Sequence, residues 1–321
     1  MIQTVLGLLD PGELGFCHSH EHLFVRKGHP YTVNPAIWMD DYHLTVKEME
    51  SFREAGGSAI IDAQPGGCGR MERELMRASA ETGVHVAAST GFHKLSFYPC
   101  NHWIRTLDRE ELAEVFIGEL RSGMWSGTDR HRPGEAGTER TQARAGLIKT
   151  AVDAERMHDP DIRWFEAAAA AARETGAPVM CHTEGADQAL WLCGLYERLG
   201  VPLSRIIICH LDRELTAMDV QIELAQRGIY LEYDTIGRFK YHDDEPEARW
   251  ICAMLEAGLE DRVLLGLDTT RTRMAAYGGD IGLSYLSETF LPLLERTGVT
   301  RDQIHKLMIR NPSKAFSISR I

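Results

Sequence analysis

The sequence predicts an α/β protein folded as a (β/α)8 TIM barrel, and three observations carry the prediction. Eight short strand-like runs follow one another along the 321 residues. Helix-length amphipathic stretches lie between most of them, and strands alternating with helices imply parallel pairing through right-handed crossovers. Polar residues of metal-ligand type stand where several apolar runs end, which is where a parallel barrel presents its chemistry. No linker separates two halves, so residues 1–321 are read as one barrel domain.

The first strand is expected over about 14–20, running into His20-Glu21-His22. The other seven are Ser58 to Asp62, His85 to Ser89, Ala145 to Val152, Pro178 to Thr183, Arg205 to His210, Gly228 to Tyr233 and Arg262 to Asp268. Helices are expected at Thr45 to Ala55, Arg70 to Thr82, Asp161 to Thr175, Gly185 to Leu199 and Glu245 to Ala257. The run Ala167 to Ala172 favours helix and packs closely. Residues 121–144 break the rhythm with Gly123, Gly127, Gly134, Gly137 and many Arg, Glu and Thr. That segment reads as an exposed loop leading into the fourth strand, at the face opposite the active site.

Composition narrows the function class. The net charge is −12 and the pI is near 5.6, whereas nucleic-acid binders need phosphate-neutralising basic surface. No window reaches the ~18 to 20 apolar residues of a membrane span. The start Met1-Ile2-Gln3-Thr4 lacks the basic residues of a secretory signal. The expectation is a cytoplasmic enzyme acting on a small molecule, with neither nucleic acid nor membrane as partner. Seven cysteines without a CxxC pair describe neither a disulfide scaffold nor a zinc ribbon. Cys17, Cys181 and Cys209 lie in strands. Because alternate side chains face opposite ways, a cysteine preceding an inward histidine should face the helical layer, as a small core residue.

The candidate site is His20, His22, Lys149, His182, His210 and Asp268. Five of these are ordinary donors for a divalent metal. Lys149 sits within the apolar segment Ala145 to Val152, where a bare ammonium is costly to bury, so its charge must be changed or paired. His18, His20 and His22 share a face by alternation, and spacing alone allows two HxH pairs; strand-end position favours His20 and His22, leaving His18 as a core or supporting residue. A single strand-end histidine such as His182 or His210 is ordinarily a hydrogen-bonded core residue. Here two of them accompany an HxH pair, a buried lysine and a strand-end aspartate, and the convergence favours metal. His29, His43, His131, His158 and His305 fall in loops or helices and need no special role. No GxSxG elbow is present.

These segments resemble the phosphotriesterase-like family of the amidohydrolase superfamily. The likeness runs in order from Gly15 to His22, through Arg144 to Lys149, Val179 to Thr183, Ile208 to Asp212 and Leu265 to Asp268, to Arg310 to Phe316. It implies a binuclear centre with two histidines from the first strand, a lysine carboxylated by carbon dioxide from the fourth, one histidine each from the fifth and sixth, and an aspartate from the eighth. Lys149 as a carbamate would bridge two divalent metals, zinc foremost, with manganese or cobalt as alternatives. Such a centre lowers the pKa of a shared water towards ~7, and Asp268 is then the candidate to orient the resulting hydroxide and move its proton to the leaving group. Dimers are common in the family, so the resemblance is compatible with a homodimer, although the sequence itself does not specify the assembly.

Arg238, Lys240, Arg271 and Arg273 add positive charge near the expected mouth. The stretches from Asp234 to Tyr241 and from Asp268 to Arg271 are similar to the branch that opens phosphorylated sugar lactones. By that resemblance Lys240 and Arg271 would hold the phosphate, while Tyr98 and Tyr277 are candidates to line the pocket. Cationic loops favour an anionic lactone over a neutral organophosphate triester. The alternatives are a triesterase or other ester hydrolase, an amidase or deaminase of the wider superfamily, and a metal-free binding barrel in which Lys149 pairs with Asp268.

Overall fold

The computed structural model describes residues 1–153 and 161–318, so His158 lies outside the described residues. Strands in chain order are β1 (Ile2–Thr4), β2 (Gly7–Leu9), β3 (Cys17–Glu21), β4 (Ala59–Asp62), β5 (His85–Gly91), β6 (Trp125–Ser126), β7 (Glu139–Arg140), β8 (Leu147–Ala151), β9 (Val179–His182), β10 (Ile206–Cys209), β11 (Tyr230–Tyr233) and β12 (Val263–Leu265). Eight of them, β3, β4, β5 and β8 to β12, form one parallel sheet in sequential order. The sheet curls into a (β/α)8 barrel. Its ends meet where the Asp268 N–H donates to the His20 carbonyl at 3.0 Å. Gly266 permits that approach, because a Cβ there would lie 2.9 Å from the His20 backbone.

All eight expected strands are present. Helices at Tyr42–Glu54, Glu72–Thr82, Arg163–Thr175, Ala186–Arg198 and Asp244–Glu256 fall where amphipathic stretches predict them. Local chemistry sets their ends: the Asp41 carboxylate accepts the Leu44 N–H at 3.1 Å, and Gly83, in left-handed backbone at φ +72, ends the Glu72–Thr82 helix. The alanine run buries Ala167, Ala168, Ala169, Ala171 and Ala172.

Two apolar layers hold the barrel. Ile61, Leu147, Met180, Ile207 and Leu264 fill its interior towards the strands' amino ends, plugged by Ile2, Leu14 and Phe316. A larger layer joins the outside of the sheet to the helices. Each fully buried side chain of this size contributes about 1.5–3 kcal/mol.

Three expectations need correction. Residues 121–144 are not an exposed loop confined to the far face. They form a strap with the β6–β7 hairpin, and Thr128 and Asp129 reach the loop that follows β4, accepting from the N–H groups of Gly67 (3.0 Å) and Gly69 (2.8 Å). Buried Arg70 anchors the strap, pairing with Glu119 at 2.6 Å while Glu119 also accepts the Trp125 N–H. Second, Cys209 and Cys17 point into the barrel, not at the helices. His210 takes φ +68, which breaks the alternation between it and Cys209. Third, His18 and His20 do not share a face. The register of β3 slips between His18 and Glu21, turning His18 outward against Phe52 (ring centroids 4.7 Å apart) and Glu21 (2.8 Å), while His20 points inward.

Candidate metal centre

The six predicted residues come together at the carboxyl ends of the barrel strands. His20 Nε2 lies 3.2 Å from Lys149 Nζ and 3.9 Å from Asp268 Oδ1, and His22 Nε2 lies 3.4 Å from the same oxygen. His182 Nδ1 faces His210 Nε2 at 2.8 Å. Donor atoms of His20, His22 and Asp268 fall within 4.8 Å of one another, as do those of His210, Asp234 and Asp268. Two of these residues sit in left-handed backbone, His210 at φ +68 and Asp268 at φ +45, conformations that cost about 1–3 kcal/mol each and concentrate at functional sites.

Hydrogen-bond directions show what the donors can hold. With both carboxylates ionised, Asp234 Oδ1 accepts the His210 Nδ1 proton at 2.6 Å and Glu184 Oε1 accepts the His182 Nε2 proton at 3.0 Å. The facing nitrogens of the two rings are then both lone pairs. Two lone pairs 2.8 Å apart repel unless a cation lies between them. A proton is disfavoured there, because burial and then the charge of Lys94 hold His182 well below the usual histidine range, and burial and Arg213 do the same to His210. His20 repeats the pattern: Nδ1 donates to Glu232 (3.1 Å) and lies 3.0 Å from Asp234, leaving the Nε2 lone pair towards the centre. Neutral imidazoles oriented by carboxylates suit a divalent metal. Lys149 is fully buried, and among the described residues its hydrogen-bond partner is His20 alone, with no carboxylate at ion-pair distance. Its ammonium is therefore unpaired, and the expected contact with Asp268 in a metal-free barrel does not form.

Asp268 is held well below the usual carboxylate range. Burial pushes it up, but Arg238, the His22 hydrogen bond and His210 outweigh burial. Arg238 Nη1 donates to Asp268 Oδ2 at 2.6 Å. Glu232 and Asp234, which orient His20 and His210, were not among the predicted residues. Their signal was readable: two carboxylates at i and i+2 in the run Tyr230-Leu-Glu232-Tyr-Asp234 must share one face of a buried strand.

A cleft of about 500 Å³ opens above the centre, and five cations line it. Lys94 and Arg213 pair with Glu184. Arg238 pairs with Asp268, and Arg273 donates to the carbonyls of Leu267, Asp268 and Ile236. Lys240 has no ion pair among the described residues; its Nζ rests 4.5 Å above the Tyr241 ring. The other three residues assigned to substrate lie outside the lining. Arg271 stacks between Trp38 (4.6 Å) and Tyr277 (4.8 Å), and its N–H donates to the Ala36 carbonyl, tying the last loop to the first. The Tyr277 hydroxyl bonds Thr45 and the Asp41 carbonyl. Tyr98 is a core residue whose hydroxyl accepts the His93 N–H.

Comparison with known proteins adds to this geometry. A family model described as the phosphotriesterase family matches residues 1–316. A phospho-furanose lactonase of Mycoplasmopsis synoviae is 28% identical, over 98% of this chain and 91% of its own. The human N-acetyltaurine hydrolase is 26% identical, over 98% and 97%. The crystal structure of the phosphotriesterase homology protein from Escherichia coli, complexed with phosphate in the active site, superposes with a TM-score of 0.84 at 29% identity, covering 96% of this chain and all (100%) of that one.

Proposed function

The chain belongs to the phosphotriesterase family, and from that premise we propose that it is a single-domain hydrolase, dependent on two divalent metals, that opens an anionic sugar lactone. The facing nitrogens of His182 and His210 carry the metal reading, because with Asp234 and Glu184 ionised both are lone pairs, and a divalent cation between them relieves their repulsion. His20, His22 and Asp268 would hold one metal, His182 and His210 the other, with Lys149 as a bridging carbamate; zinc suits the nitrogen and oxygen donors. Such a centre would supply an activated water and a Lewis acid for the carbonyl oxygen.

The chain's own residues do the rest. Asp268, ionised at neutral pH, takes the proton of the attacking water and delivers it to the ring oxygen as the ring carbon–oxygen bond breaks. Glu184, Asp234 and Glu232 keep the three imidazoles in one tautomer. Lys240, whose ammonium has neither an ion pair nor a hydrogen bond among the described residues, would anchor the anionic group. The lactonase relative supports a phosphorylated furanose lactone as substrate. The seven unpaired cysteines suit a reducing cytoplasm.

The N-acetyltaurine hydrolase favours a second reading, since its substrate joins an anionic sulfonate to an amide in place of an ester. Assaying the metal-loaded enzyme on a phosphorylated furanose lactone, its unphosphorylated counterpart, N-acetyltaurine and an organophosphate triester separates the readings. The phosphorylated lactone should give the highest kcat/KM. Preference for N-acetyltaurine would establish the amidase, and preference for the triester would reject an anionic substrate.

A further inference from the structure

We propose that Arg238 is a positioning residue that fixes the rotation of the Asp268 carboxylate, an inference that rests on the hydrolase reading above. The guanidinium holds Asp268 at two points: Nη1 donates to Oδ2 at 2.6 Å, and Nη2 donates to the Asp268 backbone carbonyl at 2.8 Å. Both acceptors belong to one residue, so the planar fork locks side chain against backbone in a way that a single ammonium cannot. Oδ1 is thereby the oxygen left facing His22 (3.4 Å) and His20 (3.9 Å).

The backbone of Asp268 is already secured without Arg238. Its N–H donates to the His20 carbonyl, and the Glu21 carboxylate accepts from the flanking N–H groups of Leu267 (3.0 Å) and Thr269 (3.1 Å). What those contacts leave free is the carboxylate itself. Arg213 approaches the same Oδ2 only to 3.6 Å and is engaged by Glu184, so it is no substitute. The loop after β11 delivers Arg238 through a tight turn, with Gly237 at φ +66 and the Arg238 N–H donating to the Thr235 carbonyl at 2.9 Å. One loop thus presents two cations with separate duties, Arg238 turned to Asp268 and Lys240, without an ion pair among the described residues, at the cleft wall.

The test uses Arg238→Ala and Arg238→Lys, each assayed on a phosphorylated and a neutral lactone and titrated with Co²⁺ while its visible absorption is followed. Arg238→Ala should lower kcat by roughly 10–100-fold on both lactones, the usual effect of removing a partner that orients a metal ligand. KM should barely move. Added guanidinium ion should restore part of the kcat of Arg238→Ala and none of the wild type's, and Arg238→Lys should fall between the two. Co²⁺ should still bind Arg238→Ala, with an altered spectrum because one carboxylate is no longer held. An unchanged kcat and Co²⁺ spectrum would overturn the positioning role alone. A loss confined to KM for the phosphorylated lactone would overturn it too, making Arg238 an anion-binding residue. Failure of the wild type to take up Co²⁺ would overturn the metal reading, and this role with it.

Discussion

The two ends of the barrel interior are built from the same eight strands and obey opposite rules. Towards the amino ends, Leu147, Met180, Ile207 and Leu264 pack under Ile2, Leu14 and Phe316, all buried and in ordinary backbone. Towards the carboxyl ends, those strands and their loops present Lys149, His182, His210 and Asp268, again buried, now polar, with His210 and Asp268 in left-handed backbone. One end gains free energy from apolar burial. The other holds desolvated donors, an unpaired ammonium and strained backbone, features that oppose folding and are intelligible only if a ligand rewards them. The lower end should therefore govern stability and the upper end turnover.

The largest expected effect is at the upper end. Lys149→Ala should remove the proposed bridging group and lower turnover by several kcal/mol of transition-state stabilisation, at least ~10³-fold, with little loss of thermal stability. Steady-state kinetics beside a melting curve would check it, and a large drop in Tm with turnover retained would reverse the assignment of the two ends. At the lower end, Ile207→Ala should destabilise the fold by about 2–5 kcal/mol through the cavity it leaves, with kcat per folded molecule unchanged. Denaturant titration measures the first quantity and active-site titration the second; a matching fall in kcat would show that the two ends are coupled. Asp268→Asn should reduce kcat ~10²-fold or more while metal content falls less, the loss of a general acid–base group. Near wild-type turnover would move the proton transfer to another residue. The smallest effect concerns substrate choice: Lys240→Ala should lower kcat/KM for the phosphorylated lactone by roughly 10–100-fold, the ~1.5–3 kcal/mol of a hydrogen bond to a charged group, and leave neutral lactones unchanged. Equal losses on both would make Lys240 structural.

The same contrast explains what the sequence could disclose. Strands at the lower end announce themselves as apolar runs between helical stretches, and strand-end donors such as His182 and Asp268 are conspicuous against that background. What escaped was local backbone irregularity. The slip in β3 that turns His18 outward and the left-handed His210 that turns Cys209 inward leave no periodic trace. Loop cations escaped for another reason. Arg238 and Arg271 look alike in sequence, yet one grips Asp268 and the other stacks on Trp38, because tertiary partners alone decide where a long side chain points. Residues 121–144 read as a solvated loop by composition, although Glu119 and Arg70 fasten the strap from outside it.

Metal titration of the chelator-treated protein, in bicarbonate and with hydrolysis of a phosphorylated lactone followed throughout, tests the central claim most directly. Turnover should rise with added zinc and level off at about two equivalents per chain, as a two-metal centre requires. Lys149→Ala, folded and titrated alike, should stay inactive. Full activity at one equivalent, or without metal, would contradict the binuclear centre, as would an active Lys149→Ala.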